Sequence, residues 1–438
     1  MNKQEPLLEV GIVSGIHINF HFLSPYFISG QKEMGRTYSG TYSANFQNGQ
    51  ILFEDRVFKV LEFEPVNLEG AAFTLFDVRI GINFHWERSE KQEFEGHLKC
   101  IVEGEKITAI NKIPLESYLT SVISSEMSAK ASAELLKAHS VISRSWLLSQ
   151  IEQKGKNVVS NPGFIESETE RIRWYDREDH QNFDVCADDH CQRYQGITKA
   201  STPQVREAIR ATRGLVLFSP EDKEICDARF SKCCGGMLEE FQFCWENSPK
   251  PYLVGLADRD NNEVFPDLRT EENARTWILG SPPAFCNSND KSVLQQVLNN
   301  YDQETADFYR WKVAYSKEAI SKLVYERSGI DFGEIQELIP LERGVSGRIV
   351  QLKIIGSRKS LIIGKELEIR RSLSASHLYS SAFVVEKTED GFILHGAGWG
   401  HGVGLCQIGA AMMGEKGYPY TTILNHYYPN TELKHLYE

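Results

Sequence analysis

Residues 113–146 read IPLESYLTSVISSEMSAKASAELLKAHSVISRSW, and at this stretch the chain changes character. From Ser128 to Gly155 it is free of proline and interior glycine, and apolar Leu135, Leu136, Val141, Ile142, Trp146 and Leu147 recur along it. That pattern predicts a helix of about five turns, opened by Ser128 as N-cap. Glu126 falls in a loop just ahead of the helix, behind the apolar run YLTSVI. A carboxyl held against apolar surface can stay protonated near neutral pH and act as a general acid. The plainer reading of Glu126 is a helix-start carboxylate favoured by the macrodipole. Glu116, in the preceding polar turn, is the weaker acid candidate. Lys137 and Arg144 stand seven residues apart and so on nearly the same helical side. They read either as a solvated charged face or as cations that orient a carbohydrate or carboxylate.

Outward from this stretch the patterning differs on each side. Residues 7–104 alternate short apolar runs with Gly, Asn and Asp turns, as in VGIVSGIHINFHFL and SGTYSANFQNGQILFED, which is the period of strands. Residues 156–200 are polar and aromatic and predict loops, and strand signals return around GLVLF and CDARFSKCCGG. Between 258 and 385, RTEENARTWIL and KEAISKLVYERSG predict helices, while SGRIVQLKIIG and LIIGKELEI predict strands. Near the end, CQIGAAMMGEKG predicts a helix behind a glycine loop, and PYTTILNHYYP a second one stopped by Pro429. The expected fold is α+β, strand-rich and mixed. A β-rich accessory region covers 1–104, a core is built from 105–260 and 385–438, and a mixed lobe covers 261–384.

A chain of 438 residues with 41% hydrophobic content predicts two or three domains with ordinary cores. Its formal net charge of -12, without a Lys/Arg run, argues against a nucleic-acid partner. No apolar window reaches the length of a transmembrane helix, and Glu9 breaks the apolar patch of MNKQEPLLEVGIV, so no secretory signal is visible. The nine cysteines are clustered rather than evenly spread, which favours metal binding over a disulfide framework.

Two constellations carry chemistry. HQNFDVCADDHC places His180, Cys186, His190 and Cys191 within twelve residues, the donor count of a closed tetrahedral zinc site. With all four positions filled by protein, such a metal is structural. A rival set of Cys226, Cys233, Cys234 and Cys244 has poorer local spacing for a metal and leaves a disulfide among them open, and Cys100, Cys286 and Cys406 stand alone. The second constellation is GAGWGHGVGLCQIGA, residues 396–410, with six glycines around His401, Cys406 and Gln407. Glycine is retained where a positive φ or a close backbone approach is needed. His401 reads as a base, a substrate donor or a backbone-satisfied core histidine, and Gln407 offers both donor and acceptor. Cys406 reads as a nucleophile or, more simply, a small buried residue.

Together these stretches resemble the stage II sporulation protein D family, also called the amidase-enhancer family. IPLESYLTSVISSEMSAKASAELLKAHSVISRSW looks like its helix motif, FSKCCGGMLEEFQFCWENSPKPYLVGLAD like its central stretch, and GAGWGHGVGLCQIGAAMMGEKGYPYTTILNHYYPNTEL like its C-terminal signature. The resemblance spans roughly 105–436, with departures at Ser128, Cys406 and Ile408, where the family usually has Pro, Ser and an aromatic residue. It implies a peptidoglycan lytic transglycosylase that leaves 1,6-anhydro-MurNAc ends, with Glu126 as the single general acid and base. It further implies a sugar site that draws on Lys137, Arg144, Gly235, Gly236, His401, Gly402 and Gln407. The expected cofactor is the structural zinc, with no organic cofactor. Expected partners are glycan strands and, on the alternative reading of a non-catalytic glycan-binding enhancer, a cell-wall amidase. The substrate implies a cell-envelope or extracytoplasmic location.

Overall fold

The computed structural model of the chain describes residues 4–80, 88–128, 131–154, 163–174, 180–188, 191–198, 201–260, 265–297 and 307–437. It is mixed α+β and rich in strands, and it divides into two compact units. The first comprises Met1–Ala129, Asp179–Leu215 and His435–Glu438, and the second Lys130–Glu178 and Val216–Lys434.

The first unit is built on an 11-stranded sheet. Its strands are β1 (Leu7–Gly15), β2 (His17–Ile28), β3 (Tyr38–Gln47), β4 (Gln50–Phe53) and β5 (Arg56–Phe58). They continue with β6 (Val60–Pro65), β7 (Ala72–Ile80), β8 (Arg88–Glu95), β9 (His97–Glu103) and β10 (Lys106–Pro114). The strand Val185–Cys186 pairs with β1, and the order runs on through β10, β9, β6, β2, β3 and β4 to β5, with β7 on β2 and β8 on β7. Alternation drives this sheet: in β2, Ile18, Phe20 and Phe22 turn inward between the more exposed His17, Asn19 and His21. Phe20, Phe22, Tyr26, Phe53 and Phe63 pack as one aromatic core, with Phe22 stacked on Tyr26 at 4.3 Å between centroids. The sheet does not stop at residue 104. β9 and β10 pair across it from Lys106↔Glu103 to Lys112↔His97, because the composition changes at Leu115 while the hairpin lies before it.

Pro114 ends β10 and opens helix α1 (Leu115–Glu126). Proline suits a helix start because its missing N–H is one that the first turn cannot use. Here the structure departs from the sequence reading: Glu126 is the last residue of a helix, not part of a loop. Tyr118, Leu119, Val122 and Ile123 bury one face of α1, and that burial, rather than caps, makes a helix of the short apolar run. Met127 follows in an extended conformation.

In the second unit, α2 (Ala133–Gln153) starts four residues later than expected. Ser132, not Ser128, is its N-cap, accepting the Leu135 N–H at 3.3 Å. Nor does α2 carry a solvated charged face. Arg144, His139, Ser140, Ser143, Ser145 and Ser149 are buried along with its leucines. The serines make this tolerable by bonding the helix itself, as Ser140 Oγ does to the Leu136 carbonyl at 2.7 Å and Ser145 Oγ to that of Val141 at 2.6 Å.

The helices Glu271–Leu279, Lys317–Ser328, Gln407–Glu415 and Tyr420–Tyr427 stand where the sequence predicts them. LIIGKELEI splits: Ser360–Gly364 is a strand, but Glu366–Ser372 is a helix. Its apparent alternation conceals a one-turn pair, with Arg370 Nη1 3.3 Å from Glu366 Oε1 in the interior. CDARFSKCCGG contributes only the short strand Phe230–Ser231, which pairs in parallel with Leu405–Cys406.

Candidate functional site

In the first unit Glu126 is half-buried at the carboxyl end of α1. The helix-start reading is thereby reversed, because the aligned peptide dipoles at this end oppose a negative charge. Two turns earlier, Tyr118 is fully buried and stacks on Tyr194 at 4.9 Å. Burial pushes its phenol well above the ordinary value, and the Cys191 and Cys186 thiols, Tyr194 and the Glu126 carboxyl add to the effect. Tyr118 thus sits within electrostatic reach of both the proposed acid and the cysteine loop. Glu116 is committed elsewhere: its Oε1 accepts the Tyr437 hydroxyl at 2.5 Å and the Gly214 N–H at 3.2 Å.

The cysteine loop hangs on the edge of the sheet. Val10↔Val185 and Gly11↔Cys186 pair in parallel, and the Glu9 N–H bonds Asp184 Oδ2 at 2.9 Å. This anchoring gathers His180, Cys186 and Cys191, whose donor atoms lie within 4.8 Å of one another. Cys191 Sγ is 3.5 Å from His180 Nε2 and accepts the Cys186 N–H at 3.4 Å. Two thiols and an imidazole at this spacing fit a tetrahedral transition-metal ion. The fourth expected ligand, His190, lies outside the described residues.

In the second unit two glycine segments are bound together. Cys233 and Trp399 exchange backbone hydrogen bonds at 3.0 and 2.8 Å, and the Glu239 N–H bonds the Gly402 carbonyl at 2.9 Å. The fully buried Arg348 guanidinium fastens them, donating to the carbonyl of Cys234 at 3.2 Å and to that of Gly400 at 3.1 Å. A side chain at Gly402 would collide with it, since an added Cβ falls 2.4 Å from Arg348 Cζ at a φ of +77°. Arg348 Nη1 also reaches Ser346 Oγ at 2.9 Å, and that hydroxyl donates to Glu239 Oε2 at 2.6 Å. The Val345 N–H bonds the same buried carboxylate at 3.0 Å.

Gly235, Gly236, His401, Gly402 and Gln407 are therefore parts of one neighbourhood. His401 is half-buried, its ring edge-on to Trp245 at 4.8 Å. Its Nδ1 accepts the Val403 N–H at 3.0 Å, which places the ring proton on Nε2. Burial, reinforced by Arg229, Arg348 and Arg370, holds the imidazole well below its usual range, so it is neutral. Gln407 is buried, with Nε2 3.2 Å from His139 Nε2, which ties the Gln407–Glu415 helix to α2. Lys137 is engaged by Glu134 at 2.6 Å and lies over the Tyr420 ring. Cys406 stands at the start of this helix without bonding its free N–H groups, and it is fully buried.

Two family models match the chain. One, described as Stage II sporulation protein, covers residues 103–218, and the other, a domain of unknown function (DUF8618), covers 239–404. Residues 103–218 are thus similar to the stage II sporulation protein family. Among relatives, an uncharacterized protein of Brachyspira hyodysenteriae is 24% identical over 345 residues, 78% of this chain and 72% of that protein. The stage II sporulation protein D of Bacillus amyloliquefaciens is 24% identical over 328 residues, 74% of this chain and 75% of its own length. The amidase enhancer of Bacillus subtilis is 26% identical over 324 residues, 72% of this chain but only 40% of that longer protein.

The stage II sporulation protein match contains Glu126, α2 and the cysteine loop, whereas Arg348, Glu239 and His401 fall in the second match. Sequence reasoning missed Arg348, Glu239 and His139, which act through tertiary contacts. The one available signal was a histidine set directly among small and apolar residues, Ala138, Ser140 and Val141.

His139 has a testable consequence. Burial, with the Lys232 ammonium second, pushes its imidazole down to about 3. The folded state thus binds fewer protons than the unfolded chain, so stability is full above about pH 6.5 and falls as the pH drops toward 3. Glu239, which burial raises to about 7, acts with the opposite sign, favouring the fold below 4.5 and losing that contribution as the pH climbs through 7. Denaturant unfolding of the wild type and His139→Gln isolates the first effect. The wild type is expected to lose about 2 kcal/mol more than the variant between neutral pH and about pH 5. Equal losses in the two proteins would contradict it.

Proposed function

We propose that the protein is a peptidoglycan lytic transglycosylase that cleaves the MurNAc–GlcNAc bond, with Glu126 as its single acid and base. The observation that carries this reading is the place of Glu126. It stands within the residues matched by the stage II sporulation protein model and ends a helix whose dipole opposes a carboxylate. Protonated Glu126 gives its proton to the glycosidic oxygen as the bond from MurNAc C1 breaks. The resulting carboxylate takes the proton of the C6 hydroxyl as O6 bonds to C1. The proton returns to Glu126, water is not consumed, and a 1,6-anhydro ring remains. One carboxyl suffices, unlike the pair that glycoside hydrolysis requires.

In this reading the half-buried His401 contacts the sugar, while Arg144, Gln407, Gly235, Gly236 and Gly402 are buried and shape its surroundings from within the second unit. His180, Cys186 and Cys191 hold a structural zinc ion, which stiffens the loop beside Tyr118 and takes no part in the bond change. The substrate places the protein at the cell envelope.

The name of one relative, an amidase enhancer, favours a second reading in which the chain binds glycan and stimulates a separate amidase. Incubation of the purified protein with glycan strands, with and without peptide stems, decides between them by mass spectrometry. Anhydro-MurNAc ends are expected. Their absence, together with stimulation of an added cell-wall amidase, would establish the second reading instead.

A further inference from the structure

Four side chains from distant parts of the second unit converge in its interior. Cys234, Asp258, Cys286 and Cys406 are each at most 2% exposed. Their donor atoms all lie within 4.8 Å of one another. Cys234 Sγ is 3.5 Å from Cys286 Sγ, and Cys406 Sγ accepts the Cys234 N–H at 3.2 Å. The Asp258 carboxylate is fully enclosed: Oδ1 accepts the Tyr427 hydroxyl at 2.7 Å and Oδ2 the Cys286 N–H at 3.0 Å, while His426 Nε2 stands 3.8 Å off. Space is reserved for this carboxylate. A Cβ at Gly409 would fall 2.6 Å from Asp258 Oδ1 and 2.3 Å from the Tyr427 hydroxyl.

We propose that Cys234, Cys286, Cys406 and Asp258 form a second, closed zinc site, distinct from the cysteine loop of the first unit. Three sulfurs and one carboxylate oxygen make a complete tetrahedral set, and Zn–S bonds of about 2.3 Å place bound sulfurs roughly 3.8 Å apart. The observed spacing needs little adjustment. The hydrogen bonds to Asp258 and to Cys406 Sγ are of the kind that orient metal ligands from outside the coordination sphere. A Cys234–Cys286 disulfide is the competing use of these atoms. It would leave the buried Asp258 carboxylate with no cation nearer than the His426 imidazole at 3.8 Å and the Cys406 thiol unused beside it, whereas a buried charge is ordinarily closely paired or bound to metal. Binding forms three Zn–S bonds and one Zn–O bond and releases three thiol protons to solvent.

The site has a positional consequence. Cys234 immediately precedes Gly235 and Gly236, and Cys406 immediately precedes Gln407, so one ion would clamp both glycine segments at their bases. The inference does not depend on transglycosylase chemistry.

Metal analysis of the full-length protein tests it, with zinc per chain measured by inductively coupled plasma mass spectrometry. Cys286→Ser and Cys406→Ser are each expected to lose one equivalent relative to the wild type, and Cys191→Ser a different equivalent, additively. Retention of the full wild-type content by the first two variants would overturn the proposal. So would an intact mass and peptide map showing Cys234 joined to Cys286. Because either cysteine variant risks failing to fold, X-ray absorption at the zinc edge is also recorded on Cys191→Ser protein. Three sulfurs and one oxygen around the remaining ion are expected, and zinc-free protein or a sulfur-poor shell refutes the site.

Discussion

Replacing Glu126 by Gln is expected to lower anhydro-MurNAc release by about 10²- to 10⁴-fold, the usual worth of a positioned acid–base group. Glutamine keeps the size and hydrogen-bonding capacity of the side chain but can neither deliver the proton to the leaving oxygen nor recover one from the C6 hydroxyl. The fold is expected to survive, because Glu126 is only half-buried and ends its helix rather than supporting its interior. Circular dichroism and the melting temperature should therefore match the wild type while the glycan assay falls silent. Glu116→Gln is the informative control. Its carboxylate is occupied by Tyr437 and Gly214, so the change should reduce stability and leave turnover per folded molecule intact. Unchanged turnover in Glu126→Gln would remove the transglycosylase assignment and leave the glycan-binding enhancer.

Arg348→Ala carries the largest expected stability effect, a loss of about 3 to 5 kcal/mol. The guanidinium is fully buried and serves three ends at once: the Cys234 carbonyl, the Gly400 carbonyl and, through Ser346, the Glu239 carboxylate. Truncation leaves two carbonyls short of a donor and a buried carboxyl short of its cation. Lysine should recover only part of the loss, because one ammonium cannot reproduce the planar fork that spans both loops. Denaturant unfolding of the three proteins measures the order directly. A loss below about 1 kcal/mol in Arg348→Ala would mean that the glycine segments hold themselves together without it.

The sequence was legible where the information is local. Alternation along residues 7–104 specified strands, because half-buried strands repeat every two residues, and helical spacing located the core of α2. The His180–Cys191 loop was legible for the same reason, its donors being close along the chain. Capping was less so. Ser128 and Ser132 are chemically equivalent N-caps, and the choice fell to Ser132 once α1 had run on to Glu126 and Met127 had turned extended. The LIIGKELEI segment failed for a related reason, since a short amphipathic turn and a short strand share a pattern until a partner chooses between them.

By itself, then, the sequence determined that this is a strand-rich α+β protein and marked Glu126, the cysteine loop and the glycine-rich segment as the places to look. Only the tertiary structure decided what stands beside each of them. Arg144 read as a solvated charge or a substrate-orienting cation, and His139 was not singled out, until α2 proved to bury both together with its serines. Cys286 and Cys406 stood alone in the chain, 52 and 172 residues from Cys234, yet all three meet around Asp258. Local spacing reports only donors that a loop can gather. A site assembled from four separate segments becomes visible when the packing of the core has brought them to bonding distance.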